Sequence, residues 1–283
     1  MFKKLMKEIE KNRNTNKLKW QIIIKLKDLV WTIYTLTICL FSQIFLHKLW
    51  YFQRKTHYKI RPVILTCEED IKTKIKFIKS YKKNNISLQR PIIFIDAFKK
   101  PVPKEYLNLL NKLNPEKIFF IKKVKNNRYD NIQNFAIKNL FKLANPYIDE
   151  LMLFLEDDII FSSKIRYVLK HIYLTKKTGF ITLYSSFHGY FSKETNGLIQ
   201  IINPTSFYGN QALLFPKKSV EILSKGFSEL KKLPRGFDHQ WANFLSSKGY
   251  LIKSTNNSYV QHISKKSRLG ATDRKYYSKK FIK

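Results

Sequence analysis

The stretch LMLFLEDD, residues 151–158, decides the fold class of this chain. Its first five residues are apolar without a break, which is typical of a strand buried on both faces of a sheet. Three acidic residues follow directly. In open α/β sheets, ligands bind beyond the carboxyl ends of the strands. The stretch therefore predicts a central strand of an α/β sheet with a charged site at its end.

The residues on either side alternate between short apolar runs and amphipathic stretches, which is typical of a βαβ protein with a mostly parallel sheet. Strands are predicted over residues 62–67, 91–96, 117–121, 180–184 and 198–202, with a strand pair within 250–262. Helices are predicted over residues 71–81, 103–113, 130–143, 163–176, 217–223 and 237–247. No internal repeat or Gly/Ser-rich linker interrupts these elements, so we expect residues 61–283 to form one domain.

The first sixty residues have a different composition and are predicted to be a separate basic segment. Within them, residues 29–46 read LVWTIYTLTICLFSQIFL, a run without charge at the short end of what a membrane-spanning helix requires. The lysine-rich flank before it favours a single-pass anchor with a cytosolic N-terminus. A peripheral helix in the plane of the bilayer and a soluble packing helix explain the same residues. We expect membrane association through this helix. The run does not indicate on which side of the membrane residues 61–283 lie.

The charge balance of the chain is strongly basic. Its 54 Lys and Arg against 20 Asp and Glu give a formal net charge of +34, which is typical of partners such as nucleic acid, an anionic membrane or a phosphorylated substrate. The lysines are spread along the chain, however, and no helix-turn-helix, zinc-finger or RNA-binding sheet motif accompanies them. We therefore expect no nucleic-acid partner, and keep a non-enzymatic nucleic-acid- or membrane-binding protein as an alternative.

The acidic triplet Glu156, Asp157 and Asp158 requires something that offsets its mutual repulsion. A divalent cation does so directly, and oxygen ligands suit Mg²⁺ or Mn²⁺. Such an ion commonly shares the phosphates of a substrate as ligands and neutralises charge on a leaving diphosphate. The alternative is a solvated turn or the N-terminal cap of the helix that follows.

The strand ending in LEDD, together with the preceding helix NIQNFAIKNLFKLA, resembles the nucleotide-sugar half of glycosyltransferases of the glycosyltransferase-A fold, including inverting N-acetylglucosaminyltransferase-like enzymes. The resemblance extends over most of residues 62–270. It implies a Rossmann-like α/β fold with a mostly parallel mixed sheet flanked by helices. By the same resemblance, Asp158 is the direct metal ligand, and Glu156 and Asp157 contact ribose, sugar or a metal-bound water. Thr66 and Glu68 then bind the base and ribose.

Two later segments, GFDHQWANFLSSKGY and YVQHISKKSRLG, extend the resemblance. Asp238 matches the position of the general base in inverting members, a role that requires a carboxylate able to take the proton of an acceptor hydroxyl. The alternative for Asp238 is an acid that complements the helix macrodipole. His262 matches a histidine that completes the metal site or meets the diphosphate, with a structural histidine as the alternative.

Further residues are assigned by their position in the resembling fold, and packing or turn formation is the alternative for each. The assigned sets are Lys266, Ser267 and Arg268 as donors to phosphate oxygens, Arg128 and Asn134 near the diphosphate or base, and Gly209, Asn210 and Gln211 in the donor or acceptor pocket.

These observations together predict a metal-dependent glycosyltransferase, either a hexosyl- or an N-acetylhexosaminyltransferase. The donor is expected to be a nucleoside-diphosphate sugar such as a UDP-sugar, and the acceptor a hydroxyl of a glycan, a lipid-linked or a protein-linked substrate. Transfer is expected to invert the anomeric centre, because Asp238 would serve a single displacement. A metal-dependent nucleotidyltransferase is the alternative enzyme, since paired strand-end acids with Mg²⁺ also serve phosphoryl transfer.

Overall fold

The computed structural model of this protein describes residues 58–67, 71–84, 89–96, 102–121, 139–172, 174–185, 195–196, 198–207, 209–226, 237–263, 278 and 280–283. The chain divides into two units, Met1–Arg54 and Lys55–Lys283, and every described residue belongs to the second. The proposed division into residues 1–60 and 61–283 stays a prediction. The apolar run over residues 29–46 lies outside the described residues.

The described strands form one large sheet and one small sheet. The strands are β1 Ile60–Cys67, β2 Ile92–Asp96, β3 Lys117–Ile121, β4 Leu151–Glu156, β5 Ile159–Phe161, β6 Thr178–Thr182, β7 Thr195–Asn196, β8 Ile199–Ile201, β9 Ala212–Pro216, β10 Leu251–Thr255 and β11 Val260–His262. The large sheet has nine strands in the order β3-β2-β1-β4-β9-β6-β10-β8-β7, and β11 pairs with β5 in the small sheet. β1 to β4 run parallel, whereas β9 is antiparallel to both β4 and β6. This architecture confirms an α/β fold with a mostly parallel mixed sheet.

Helices flank both faces of the large sheet. The named helices are α1 Ile71–Lys83, α2 Lys104–Asn111, α3 Ile165–His171, α4 Lys217–Gly226 and α5 Phe237–Ser247, with a further helical segment over 139–144. Buried residues of α1, α2 and α3 join one hydrophobic cluster, and those of the 139–144 segment, α4 and α5 join the other. Because successive side chains of a strand point to opposite faces, both clusters draw residues from the same strands.

The central strand β4 has the role that its composition predicts. It lies between β1 and β9, and all five of its apolar residues are buried. Leu153 contributes to the cluster beneath α1, whereas Met152 and Phe154 contribute to the cluster beneath α5. A strand covered on both faces has no solvent side, so its sequence is continuously apolar rather than alternating.

Two expectations about the strands were wrong. β5 follows the acidic triplet directly, where a helix starting near residue 163 was the only element expected. The predicted strand pair within 250–262 does not form, because β10 pairs with β6 and β8 while β11 pairs with β5. Local patterns identify strands, but pairing is decided by contacts between residues far apart in the chain.

The prediction of a membrane-associated protein is corrected. Among the residues that the structure describes, no helix combines the length and the apolar character needed to cross a bilayer.

Candidate functional site

Three parallel strands of the large sheet end at the same edge and place polar side chains there. In the register of β1 with its neighbours, Cys67 lies opposite Asp96 of β2, and Leu65 lies opposite Glu156 of β4. Thr66 therefore lies near the residue that follows Glu156. This edge corresponds to the carboxyl ends at which α/β proteins bind ligands.

The three acids of the triplet differ in exposure, with Glu156 at the end of β4 and Asp157 and Asp158 in the turn that follows. Glu156 and Asp158 are partly exposed, whereas Asp157 is buried with only 5% of its surface accessible. The Asp157 carboxylate forms an ion pair with the ammonium of Lys74 and accepts a hydrogen bond from the Thr66 hydroxyl. Burial raises the pKa of Asp157, and the ion pair and hydrogen bonds from these two residues oppose that rise. Asp157 and Thr66 thus belong to a buried network, and their predicted contacts with a nucleotide-sugar stay predictions.

Glu156 lies where the negative charge of the site accumulates. Burial raises its pKa well above the usual range, and the neighbouring carboxylates of Asp158, Asp157 and Asp238 raise it further. The side-chain amide of Asn210 donates a hydrogen bond of 2.5 Å to Glu156 Oε1 and partly opposes the rise. Four carboxylates therefore act on one another at this edge, and a bound cation would relieve their repulsion.

Asp158 and His262 are brought together by the small sheet. His262 of β11 lies opposite Ile159 of β5, and the Ile263 amide donates to the Asp158 carbonyl at 2.8 Å. His262 Nε2 consequently lies 2.8 Å from Asp158 Oδ2. The other carboxylate oxygen, Asp158 Oδ1, is buried and has no hydrogen-bond partner among the described residues. The two residues predicted to share a metal are thus adjacent, although they are 104 positions apart in the sequence (262 − 158).

The Asp158–His262 distance is that of a direct hydrogen bond, and it is also close to the separation of about 3 Å between adjacent ligands of an octahedral ion at about 2.1 Å. An unpartnered buried carboxylate oxygen is also available to coordinate. Among the described residues, however, no group of three or more His, Cys, Asp or Glu side chains converges as a metal site. An ion here would need water or substrate oxygens as further ligands, which is common for Mg²⁺.

Asp238 lies in the first turn of α5 and has both carboxylate oxygens engaged. Oδ1 accepts a hydrogen bond from the His239 amide at 2.9 Å, and Oδ2 accepts one from the Gly209 amide at 2.8 Å. The first interaction satisfies an amide at the start of the helix, as an acid in the first turn commonly does. The catalytic role of Asp238 stays a prediction, with its helix-end role present in the structure.

The turn over residues 209–211 joins Asp238 to Glu156. Gly209 binds Asp238 through its amide, Asn210 binds Glu156 through its side chain, and the Gln211 carbonyl accepts from the Glu156 amide at 3.0 Å. Gly209 has φ of 109°, a conformation that side-chain-bearing residues rarely adopt. Gln211 Oε1 is buried and has no hydrogen-bond partner within the part of the chain that the structure describes. The three residues predicted to line a pocket therefore lie at the site.

The remaining predicted residues, Glu68, Arg128, Asn134, Lys266, Ser267 and Arg268, lie outside the described residues. Their roles stay predictions.

Sequence reasoning missed Lys74 and Tyr106, which complete the network around Asp157. The Tyr106 hydroxyl hydrogen-bonds to the Thr66 hydroxyl, which in turn donates to Asp157. A signal for Lys74 was present, because Phe77 and Ile78 follow it at the spacing of one helix face. A lysine on the apolar face of a helix is rarely buried without a partner. No comparable local signal identifies Tyr106.

Comparisons with known proteins do not assign a function to this chain, so its function is inferred from the geometry of the site. No protein-family model matches the chain, and no curated protein matches it. One solved structure with a similar arrangement is the inositol-1-phosphate CTP transferase from T. maritima, which is 12% identical with a TM-score of 0.43, over 71% of this chain and 86% of the other. Similarity at this level assigns no activity, and the glycosyltransferase-A fold is not confirmed by it.

Proposed function

We propose that this protein is a metal-dependent transferase that acts at the diphosphate of a nucleotide substrate, and that glycosyl transfer from a nucleoside-diphosphate sugar is its reaction. The observation that carries the proposal is the Asp158–His262 pair at the end of β4, with Asp158 Oδ1 unpartnered. Mn²⁺ or Mg²⁺ is the expected cofactor, held by these two side chains.

The charge around this pair supports a phosphate-bearing substrate. With few protein ligands at hand, a bound cation would keep coordination positions for phosphate oxygens. The ion would supply neutralisation of the negative charge that develops on a leaving phosphate group. Asp158 and Asp238 place negative charge beside Glu156, which favours a cation and opposes a free phosphate anion. We therefore expect substrate binding to depend on the metal.

Asp238 is the proposed base for glycosyl transfer. Its charge contributes to the raised pKa of Glu156, so it lies within electrostatic reach of the triplet. Each carboxylate oxygen has two lone pairs and can accept a proton while keeping one backbone hydrogen bond. Asp238 would take the proton of an acceptor hydroxyl as that oxygen attacks the anomeric carbon. The bond to the nucleoside diphosphate would break on the opposite face, which inverts the anomeric centre in a single displacement. The donor sugar and the acceptor, whether glycan, lipid-linked or protein-linked, stay open.

Nucleotidyl transfer is the second candidate, and the geometry of Asp238 favours it. Two backbone amides bind the carboxylate of Asp238, so both of its oxygens are already engaged in the structure. A phosphate nucleophile is already ionised at neutral pH and requires no base. The acidic triplet and a divalent cation are sufficient for such a reaction. Asp238 would then be required only for the shape of the site.

The leaving group distinguishes the two reactions. The full chain is incubated with Mn²⁺ and either nucleoside-diphosphate sugars or nucleoside triphosphates with sugar phosphates, and the products are separated by anion-exchange chromatography. Release of a nucleoside diphosphate identifies glycosyl transfer or its hydrolytic side reaction. Release of pyrophosphate from a triphosphate identifies nucleotidyl transfer.

Asp158→Asn is the decisive variant in either assay. It removes the charge of the proposed ligand while keeping its size, and we expect turnover to fall at least about 100-fold, since even indirect metal contacts are worth 10- to 100-fold. Asp149→Asn, at the exposed opposite end of β4, is the matched control and should keep wild-type turnover. Equal turnover in Asp158→Asn and wild-type protein would contradict the proposal.

A further inference from the structure

Asp157 lies at the meeting point of three segments that precede it in the chain. Its Oδ2 atom contacts the Lys74 ammonium of α1 and the Thr66 hydroxyl of β1, and the Tyr106 hydroxyl of α2 binds Thr66 in turn. Lys74 is 2% exposed and Asp157 is 5% exposed. A lysine and an aspartate are therefore buried together beneath the turn that joins β4 to β5.

Stability alone does not explain this pair. The same face of α1 also contributes Phe77, Ile78 and Tyr81 to a hydrophobic cluster. Removing two charges from water costs several kilocalories per mole, and well-packed apolar residues commonly replace a buried ion pair without loss of stability. A pair kept in such surroundings requires another reason, and its location next to the proposed metal residues suggests one.

The pair fixes the direction of the residues on either side of Asp157. Asp157 and Asp158 form the turn between β4 and β5, so holding the side chain of one constrains the direction of the other. With Asp157 held inward by Lys74, the side chains of Glu156 and Asp158 point towards the partly exposed edge. Asp158 then meets His262, whose strand is paired beside it. Release of Asp157 would allow the turn to rotate and separate this pair.

We propose that Lys74 is a positioning residue for the metal site, and that Asp157 is its internal counter-ion rather than a ligand of metal or substrate. The inference rests on the proposed function for the identity of the metal residues and deepens it. Only Asp158 of the triplet then binds the ion directly, and the buried pair holds it in place.

A double-mutant cycle tests the inference on the full chain. The variants are Lys74→Met, Asp157→Asn and the double variant K74M/D157N, each measured for Tm in the absence of metal and for Mn²⁺ affinity by calorimetry. Each single variant leaves a buried charge without its partner and is expected to lower Tm by about 6–20 °C. The double variant leaves neither charge, and at least half of the loss should return.

Mn²⁺ affinity separates positioning from ligation. Measured at a temperature where every variant is folded, Lys74→Met should weaken Mn²⁺ binding at least about 10-fold, although it removes no metal ligand. Asp157→Asn and the double variant remove the same pair and no proposed ligand, so their Mn²⁺ affinities should lie within about threefold of that of Lys74→Met. Asp158→Asn is the reference for loss of binding with the buried pair intact.

Two results would overturn the inference. One is wild-type Mn²⁺ affinity in Lys74→Met, because Lys74 would then position nothing, and an affinity in Asp157→Asn as low as in Asp158→Asn would in that case identify Asp157 as a ligand. The other is an additive loss of Tm, which would show that Lys74 and Asp157 are not coupled. Failure of the wild-type protein to bind Mn²⁺ would overturn the proposed function and the positioning role together, and recovery of Tm would then establish the ion pair alone.

Discussion

Replacing Glu156 with glutamine tests the electrostatics of the site without any substrate. The Glu156→Gln variant keeps an oxygen that can accept the hydrogen bond from Asn210 and removes the negative charge. Burial and three neighbouring carboxylates raise the pKa of Glu156, so ionising it in the folded protein costs free energy that the unfolded chain does not lose. We expect the metal-free variant to be more stable than the wild-type protein at pH 8.

The sign and size of the effect follow from the raised pKa. Stability due to Glu156 is lost as the pH rises from about 4.3, the usual glutamate pKa, towards the raised value. Relief of strained functional sites commonly increases the free energy of unfolding by about 0.5–2 kcal/mol. For a domain of this size, each kilocalorie raises Tm by about 2–4 °C. Glu156→Gln should therefore raise Tm by about 1–8 °C at pH 8, and the gain should shrink towards zero at pH 4.

The assay is thermal unfolding in EDTA from pH 4 to pH 8. Glu105→Gln is the matched control, because it removes the same charge from an exposed position of α2 and should shift Tm by less than about 2 °C at every pH. A lower Tm for Glu156→Gln at pH 8 would refute the electrostatic argument. A gain that is constant across the pH range would refute it as well, since a packing effect does not titrate.

The turn and the core provide two further tests. Gly209→Ala places a Cβ 3.0 Å from Gln211 Oε1 at a φ of 109°, so we expect a loss of about 1–3 kcal/mol in unfolding free energy together with weaker Mn²⁺ binding. Gly249 also has a positive φ, but a Cβ added there would have no atom within 4 Å, so Gly249→Ala should lose stability and keep its Mn²⁺ binding. Equal Mn²⁺ affinities in Gly209→Ala and Gly249→Ala would contradict a role of the 209–211 turn in the site. Leu153→Ala, at the fully buried centre of β4, should cost about 2–5 kcal/mol in chemical denaturation, against less than about 0.5 kcal/mol for the exposed Leu143→Ala. Similar costs for the two leucines would contradict the central position of β4.

The sequence was most informative where a local pattern has a single physical solution. The uninterrupted apolar run of β4 can be satisfied only by burial on both faces, and the helix over residues 237–247 was predicted with the bounds that the structure has. Strand pairing was harder to predict from the sequence, because contacts between residues far apart in the chain decide which strands pair. The separation of β10 from β11 illustrates this limit.

The site shows the same division. The sequence shows that three acids follow a buried strand. The resemblance to glycosyltransferases assigned Asp158 and His262 to one metal site, which stays a prediction, and the two side chains are adjacent in the structure. The sequence does not predict the different environments of the three acids, because Asp157 is bound by Lys74 and Thr66, which belong to earlier elements of the chain.

The α/β class, the central strand and the negative charge at the carboxyl end of that strand could all be predicted from the sequence alone. These features depend on hydrophobic periodicity and on which residues are adjacent along the chain. Tertiary structure decided which acid is buried, which acid meets a histidine and how a turn joins Glu156 to Asp238. Those relations depend on side chains from α1, β11 and the 209–211 turn, which only the packing of the sheet brings together.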